Sequence, residues 1–150
     1  MKKVNAVVIV LSLVMLAVTA AVSFVRLRTD RERAVMYFTS FGTDDVCTEV
    51  RYFPKNPIQG EVAFFVDELL LGPMTNRYKP LFARGTRAKF CTLEGDTLYV
   101  GLSGDALSVS KESADIETGI KLLKVNIVKK FTKINTVLVY IGGKSVYKES

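Results

Sequence analysis

The sequence predicts an α+β domain: a small mixed or antiparallel sheet with two helices on one face, preceded by one transmembrane helix. Three observations carry this. No residue from Val4 to Val25 is charged. Short runs of β-branched and aromatic residues with a period of two recur along the rest of the chain. Between them lie two segments whose apolar residues recur every three or four positions. The order is strand, strand, helix, strand, strand, helix, strand, which makes an α+β domain.

The uncharged run comes first. At about 1.5 Å per residue it reaches roughly 33 Å as a helix, enough for a hydrocarbon core of about 30 Å. A cleaved signal peptide is the competing reading, with Lys2 and Lys3 as its basic start and Val18-Thr19-Ala20 as its small-residue site. Signal cores are typically about 7–15 residues, shorter than this run, so an uncleaved anchor is preferred. The division expected is a cytoplasmic tail at 1–3, an anchor at 4–25, a charged linker at 26–33 and a domain at 34–147. Lys2 and Lys3 on one side face Arg26, Arg28, Arg31 and Arg33 on the other, the latter diluted by Asp30 and Glu32, so the positive-inside count is equivocal. The export-like start points to a single-pass protein of the cytoplasmic (inner) membrane, its C-terminal domain on the extracytoplasmic, or periplasmic, side.

The domain opens with a strand, Ala34 to Thr39, that stops at Phe41-Gly42-Thr43-Asp44-Asp45, and a second follows from Thr48 to Phe53, where Val50 and Tyr52 alternate with Glu49 and Arg51. Asn56-Pro57-Ile58-Gln59 then reads as a helix start, with Asn56 as N-cap, Pro57 at the first helical position and Gln59 completing a capping box. Ile58, Val62, Phe65 and Leu69 form its apolar stripe, which serves either to cover the sheet or to dock a partner. It ends at Gly72-Pro73, since proline has no amide hydrogen to continue a helix.

Thr86 to Ser103 reads as a hairpin, with Ala88, Phe90 and Thr92 alternating with Arg87, Lys89 and Cys91, a turn at Glu94-Gly95-Asp96, and Leu98, Val100 and Leu102 on one face of the return strand. Gly104 to Ser110 is loop. A second helix follows over roughly Lys111 to Lys133, with Ile116, Ile120, Leu123, Ile127 and Phe131 on one face. Thr136 to Ile141, almost wholly apolar, suits the middle of a sheet.

Composition narrows the functions. Setting aside Lys2, Lys3, Arg26 and Arg28 leaves 17 of the 21 lysines and arginines against 15 acids, too even a balance for a nucleic-acid binder. The chain has no histidine and no CxxC, so no metal or other cofactor is expected. Cys47 and Cys91 read either as one disulfide of an exported domain or as two small half-buried thiols. Asp44-Asp45, Asp67-Glu68 and Asp105 are the only candidates for a carboxylate-dependent envelope enzyme. Arg77, Lys79, Arg84, Arg87 and Lys89 lie in a stretch free of acids from Glu68 to Glu94, a candidate patch for anionic lipid or wall polymer or an ordinary solvated edge.

Several of these turns share a further likeness. Leu69-Leu70-Leu71-Gly72-Pro73 closing the first helix, the Gly85-Thr86 step, the strand Leu98 to Ser103 with its Leu102-Ser103 end, and the last strand running into Gly142-Gly143-Lys144 together resemble the GerMN domain of bacterial sporulation and spore-germination proteins. The likeness takes in most of Val35 to Val146; Arg84 stands where the family often has proline, and Gly101 where it often has an acid. None of these motifs is catalytic. The resemblance implies a non-enzymatic, membrane-tethered interaction or scaffold module of the bacterial cell envelope, whose partners are the membrane and envelope proteins or wall components.

Overall fold

A computed structural model describes residues 2–27, 31–108 and 111–146; the side chains of 2–5 and 24–27 are outside the description. The bases Lys2, Lys3, Arg26 and Arg28, on which the orientation argument turns, therefore lie outside the described side chains, as do residues 28–30 and the final residue of the expected domain, 147. The chain divides into two compact units, Met1–Arg31 and Glu32–Ser150.

The first unit is a helix, α1 (Lys2–Leu27). Its stretch Ala6–Ser23 has a mean hydropathy of 2.7, and none of its residues is buried. A helix apolar on every side finds its low-energy surroundings in lipid. Its hydroxyls fit that reading: Ser12 donates to the Val8 carbonyl and Thr19 to the Met15 carbonyl, each at 2.9 Å, so neither is left unsatisfied.

The second unit is α+β, as the element order predicts, but it holds two sheets where one was expected. Strand β1 (Arg31–Ser40) takes in the last residues of the charged linker and lies between β2 (Val46–Pro54) and the two-residue β3 (Tyr78–Lys79). The other sheet runs in the order β4 (Ala88–Glu94), β5 (Thr97–Leu102), β6 (Thr136–Ile141) and β7 (Lys144–Ser145). Within it β4 and β5 are antiparallel, β5 and β6 parallel, and β6 and β7 antiparallel across the Gly142-Gly143 turn. A parallel pair needs a crossover. It is supplied by a 3-10 turn, Gly104–Leu107, and helix α3 (Ile116–Lys130).

Helix α2 (Glu61–Leu71) begins later than its sequence suggests. Asn56 is not the N-cap and Gln59 closes no capping box; Pro57 to Gly60 is a turn, closed by the Gly60 N–H to the Pro57 carbonyl at 3.0 Å. Gly60 at φ 85° is the non-helical residue before the first turn, a conformation open to glycine at little cost. Ile58 consequently leaves the stripe and stands fully in solvent, while Val62, Phe65 and Leu69 pack as expected, joined by Val66 and Leu70. Helix α3 is shorter than expected at both ends. Asp115 caps it, accepting from the Thr118 N–H at 2.9 Å. Leu123 and Ile127 are buried and Ile120 and Phe131 partly so, whereas Ile116 is exposed.

One core joins both sheets and both helices: Ala34, Met36 and Phe38 of β1, the buried faces of α2 and α3, and Leu98, Val100, Leu102, Val137, Val139 and Ile141 of the second sheet. Two local reversals shape its edges. A bulge between Ala88 and Phe90 lets Ala88 pair with Leu102 and Cys91 with Val100, so Cys91 joins Ala88 on the core side and Phe90 is turned outward over Gly101. On β2 it is Glu49 and Arg51 that face inward, while Val50 and Tyr52 are exposed.

Candidate functional site

The inward turn of Glu49 and Arg51 is chemically costly unless both charges are matched, and the end of α2 matches them. The Arg51 guanidinium donates from Nε to Glu49 Oε1 at 2.6 Å and from Nη1 to Glu68 Oε2 at 3.1 Å. It also reaches main-chain oxygens at that helix end, the Glu68 carbonyl at 3.3 Å and the Gly72 carbonyl at 2.6 Å. Glu49 in turn accepts from the Met74 N–H, at 3.1 Å to Oε2. Phe38 covers the guanidinium, 5.8 Å from ring centre to Cζ. Arg51 thus satisfies helix-end carbonyls that α2 leaves open, and it pins the following turn from the β2 side. That turn is tight: Gly72, at φ 87°, lies so close to Pro80 that a Cβ there would come within 3.0 Å of the proline Cβ.

Beside this network, on the outer side of the Gly72-Pro73 turn, is an open groove of about 610 Å³ lined by Phe41, Leu71, Pro73, Tyr78, Arg84 and Glu112 among others. Leu71 is 78% exposed and Met74 79%. Its charged groups are Arg84 and Glu112, which lie 3.8 Å apart.

The other family-motif residues also brace turns. The Thr86 hydroxyl donates to the Ala83 carbonyl at 2.7 Å, closing the turn at Gly85. Ser103 is buried, its hydroxyl accepting from the Arg87 N–H at 3.2 Å and donating to Asp105 at 2.9 Å. Leu69, Leu70 and Leu102 belong to the core.

The carboxylates considered for catalysis are spread over separate segments. Asp44 pairs with Lys79, Glu68 with Arg51, Asp105 with Ser103, and Asp67 meets the Gln59 amide at 3.4 Å. No group of three or more metal-ligating side chains converges among the described residues. Of the five bases of the acid-free stretch, Lys79 and Arg84 have these acidic partners, while Arg77, Arg87 and Lys89 are exposed and form no ion pair among the described residues. Cys47 on β2 and Cys91 on β4 are both half-buried free thiols, the latter pushed up to about 11 by burial and, secondarily, by the Asp67 carboxylate. Two residues central to the architecture, Arg51 and Asn126, were not singled out by the sequence reading. Their only signal there is a charged pair, Glu49 and Arg51, sharing one face of a strand, and an amide within an apolar helical face.

Comparison with known proteins bears on all of this. The family model described as "Germane: Sporulation and spore germination" matches residues 35–147. Two solved structures share the fold: the tandem GerMN domains of the sporulation protein GerM from Bacillus subtilis, at 15% identity and a TM-score of 0.63, and the first GerMN domain of the same protein, at 16% and 0.61. The first match covers 81% of this chain and 43% of the tandem; the second covers 77% and 86%. An uncharacterized lipoprotein of Treponema pallidum (strain Nichols) is 30% identical over 89 residues, spanning 59% of this chain and 66% of that protein.

Proposed function

This chain belongs to the Germane family of sporulation and spore germination domains, and on that premise we propose that it is a non-enzymatic interaction module, held by α1 at the outer face of the cytoplasmic membrane, that positions other envelope components. The observation that carries the reading is the use to which the domain puts its buried polar side chains. Of these, Glu49, Arg51, Thr86, Ser103 and Asn126 are each engaged in fixing a turn, a helix end or a strand edge, while the buried Thr39 hydroxyl has no hydrogen-bond partner among the described residues. A fold that spends most of its interior polar groups on holding shape offers its outside for use. The apolar, outwardly exposed rim of Leu71 and Met74 beside the groove is a surface of the kind a protein partner covers. The relative in Treponema pallidum is a lipoprotein by name, which supports a membrane-attached mode of work for this chain.

Tethering gives such a module its effect. Confinement near a partner raises the effective concentration, so a weak contact suffices. The test is replacement of the native gene by a form in which residues 1–30 are exchanged for a cleavable export signal, at matched low expression. The reading expects partners that co-purify with the full chain to lose their normal localisation although the freed domain stays folded by circular dichroism. Normal localisation would count against tethering, and turnover of a wall or lipid substrate by the purified chain would overturn the non-enzymatic reading.

A further inference from the structure

We infer that one end of the domain, made by the start of β1, the Pro57–Gly60 turn and the C-terminal end of α3, docks on the anionic phospholipid headgroups of the bilayer that holds α1. The inference rests on the membrane-anchored reading above.

These elements converge around a small cleft lined by Glu32, Lys55, Pro57, Glu61, Lys130 and Phe131 among others. Lys130 pairs with Glu32 across it. The cleft itself sets Lys55 and Lys130 against Glu32 and Glu61. Next to these in the chain come Arg33, Lys129 and Lys133, and the one further acid that meets the turn is Asp67, 3.4 Å from the Gln59 amide, so among these described residues the cations outnumber the acids. Arg33, Lys129 and Lys133 are exposed and make no ion pair among the described residues; Lys129 lies 4.4 Å from the Tyr37 ring centre, which holds its ammonium without neutralising it. Surplus positive charge at this end complements an anionic surface.

The second observation is Ile58. It sits at the crest of the Pro57–Gly60 turn with a relative exposure of 106%, more open than any other large apolar side chain of the domain. Single exposed apolar residues are common and carry little by themselves. An isoleucine raised on a proline-stiffened turn amid lysines has the composition of a headgroup-level contact, in which the apolar tip enters the interface and the cations meet phosphate.

The third is covalent. Residues 28–30 are all that separate Leu27, the last of α1, from Arg31, the first of β1. At no more than roughly 3.5 Å per residue, that length keeps the start of β1 within reach of whatever bilayer holds α1. The attraction between surface charges fades over about 8–10 Å at physiological ionic strength, so a surface held this near is one on which surplus cations act.

The full chain, reconstituted into nanodiscs of phosphatidylcholine alone or of phosphatidylcholine with phosphatidylglycerol, provides the test through amide hydrogen exchange. Expected in the anionic discs is several-fold slower exchange at 58–60 and 130–134, with the β4–β5 hairpin unchanged, and loss of that protection in high salt and in the variants Ile58→Ser and Arg33→Gln/Lys129→Gln/Lys133→Gln. Equal exchange in the two kinds of disc overturns this inference alone. A chain that enters neither disc overturns the anchored reading as well.

Discussion

Asn126 on α3 stands in for a strand beside Tyr37: its Oδ1 accepts from the Tyr37 N–H at 2.8 Å and its Nδ2 donates to the Tyr37 carbonyl at 2.9 Å. The same Nδ2 reaches the Leu122 carbonyl at 2.8 Å. Strand β3 pairs with β1 only at Thr39 and Ser40, and alternate residues of a strand present their main-chain groups to the same edge. The asparagine therefore continues, by one residue, an edge that β3 leaves open, and in doing so ties the long helix to the first sheet. Asn126→Leu, close in volume, removes the partners of two main-chain groups at once. At about 1–3 kcal/mol for a buried polar group left unpaired, the urea midpoint should fall by an amount worth roughly 2–4 kcal/mol. Asn126→Asp should be little better, because it keeps only an acceptor.

Arg51 gives the second expectation. Arg51→Ala leaves Glu49 buried without its cation beside the open carbonyls of α2, a loss of roughly 3–5 kcal/mol. Replacing the pair together, Glu49→Leu with Arg51→Met, should restore much of it, because no unmatched charge remains. Denaturant unfolding of Glu49→Leu, of Arg51→Met and of the double variant forms a cycle in which the double should lose far less stability than the sum of the two single losses. Simple additivity would mean that the two side chains do not depend on each other.

Stability should also decline in acid through identifiable carboxylates. The hydroxyl and then the amide of Thr118 hold Asp115 below the usual aspartate range, and the Asn135 side chain does the same for Asp96. A carboxyl with a lowered folded pKa stabilises above its unfolded value, about 3.9, and that contribution is lost as pH falls through the folded one. Thermal midpoints should thus drop below about pH 4. Asp115→Ala should flatten part of that slope and cost about 1 kcal/mol at neutral pH through loss of the helix cap.

Cys91 should be slow to alkylate in the folded chain. With its thiol at about 11, against an ordinary 9.0, the reactive thiolate is roughly a hundredfold scarcer at pH 8 than in the unfolded chain. Iodoacetamide followed by peptide mass spectrometry reads this directly. Labelling of both cysteines in denaturant without reductant marks them as thiols, and protection of both until reduction marks a Cys47–Cys91 bridge.

Topology has its own measurement. Protease added to intact spheroplasts should remove the domain if it lies outside the cytoplasmic membrane. Digestion only after lysis would place it inside.

What could be read from the sequence, and what could not, divides by the range of the forces involved. The stripe of Val62, Phe65 and Leu69 and the apolar run of β6 were legible because burial imposes a local period on them. The start of α2 was not: Asn56-Pro57-Ile58-Gln59 suits a helix cap and a turn equally well, and Gly60, by adopting a positive φ, decides for the turn. The facing of β2 was hidden for a different reason. Glu49 and Arg51 can be buried only because Glu68 and the Gly72 carbonyl wait for them in another element, and no window on β2 contains those partners. The bulge at Ala88 and the two-residue strands β3 and β7 leave no periodic trace at all. In the candidate site, the motif turns at Gly72, Thr86 and Ser103 were legible as turns, whereas the groove beside them arises from segments distant in sequence.

Between α2 and β4 the chain runs from 72 to 87 with only the two residues of β3 in regular structure, yet it is fastened at intervals: Arg51 holds Gly72, Glu49 holds Met74, the Phe41 N–H meets the Arg77 carbonyl, the Ala114 N–H meets the Pro80 carbonyl, and the Ser103 hydroxyl receives the Arg87 N–H. Each fastening fixes the number of residues to the next, like holes in a belt. A connection of this kind tolerates changes of side chain between its anchor points but not of length, so evolution or an engineer wishing to insert a tag or a new loop would find this irregular stretch as unforgiving as a strand.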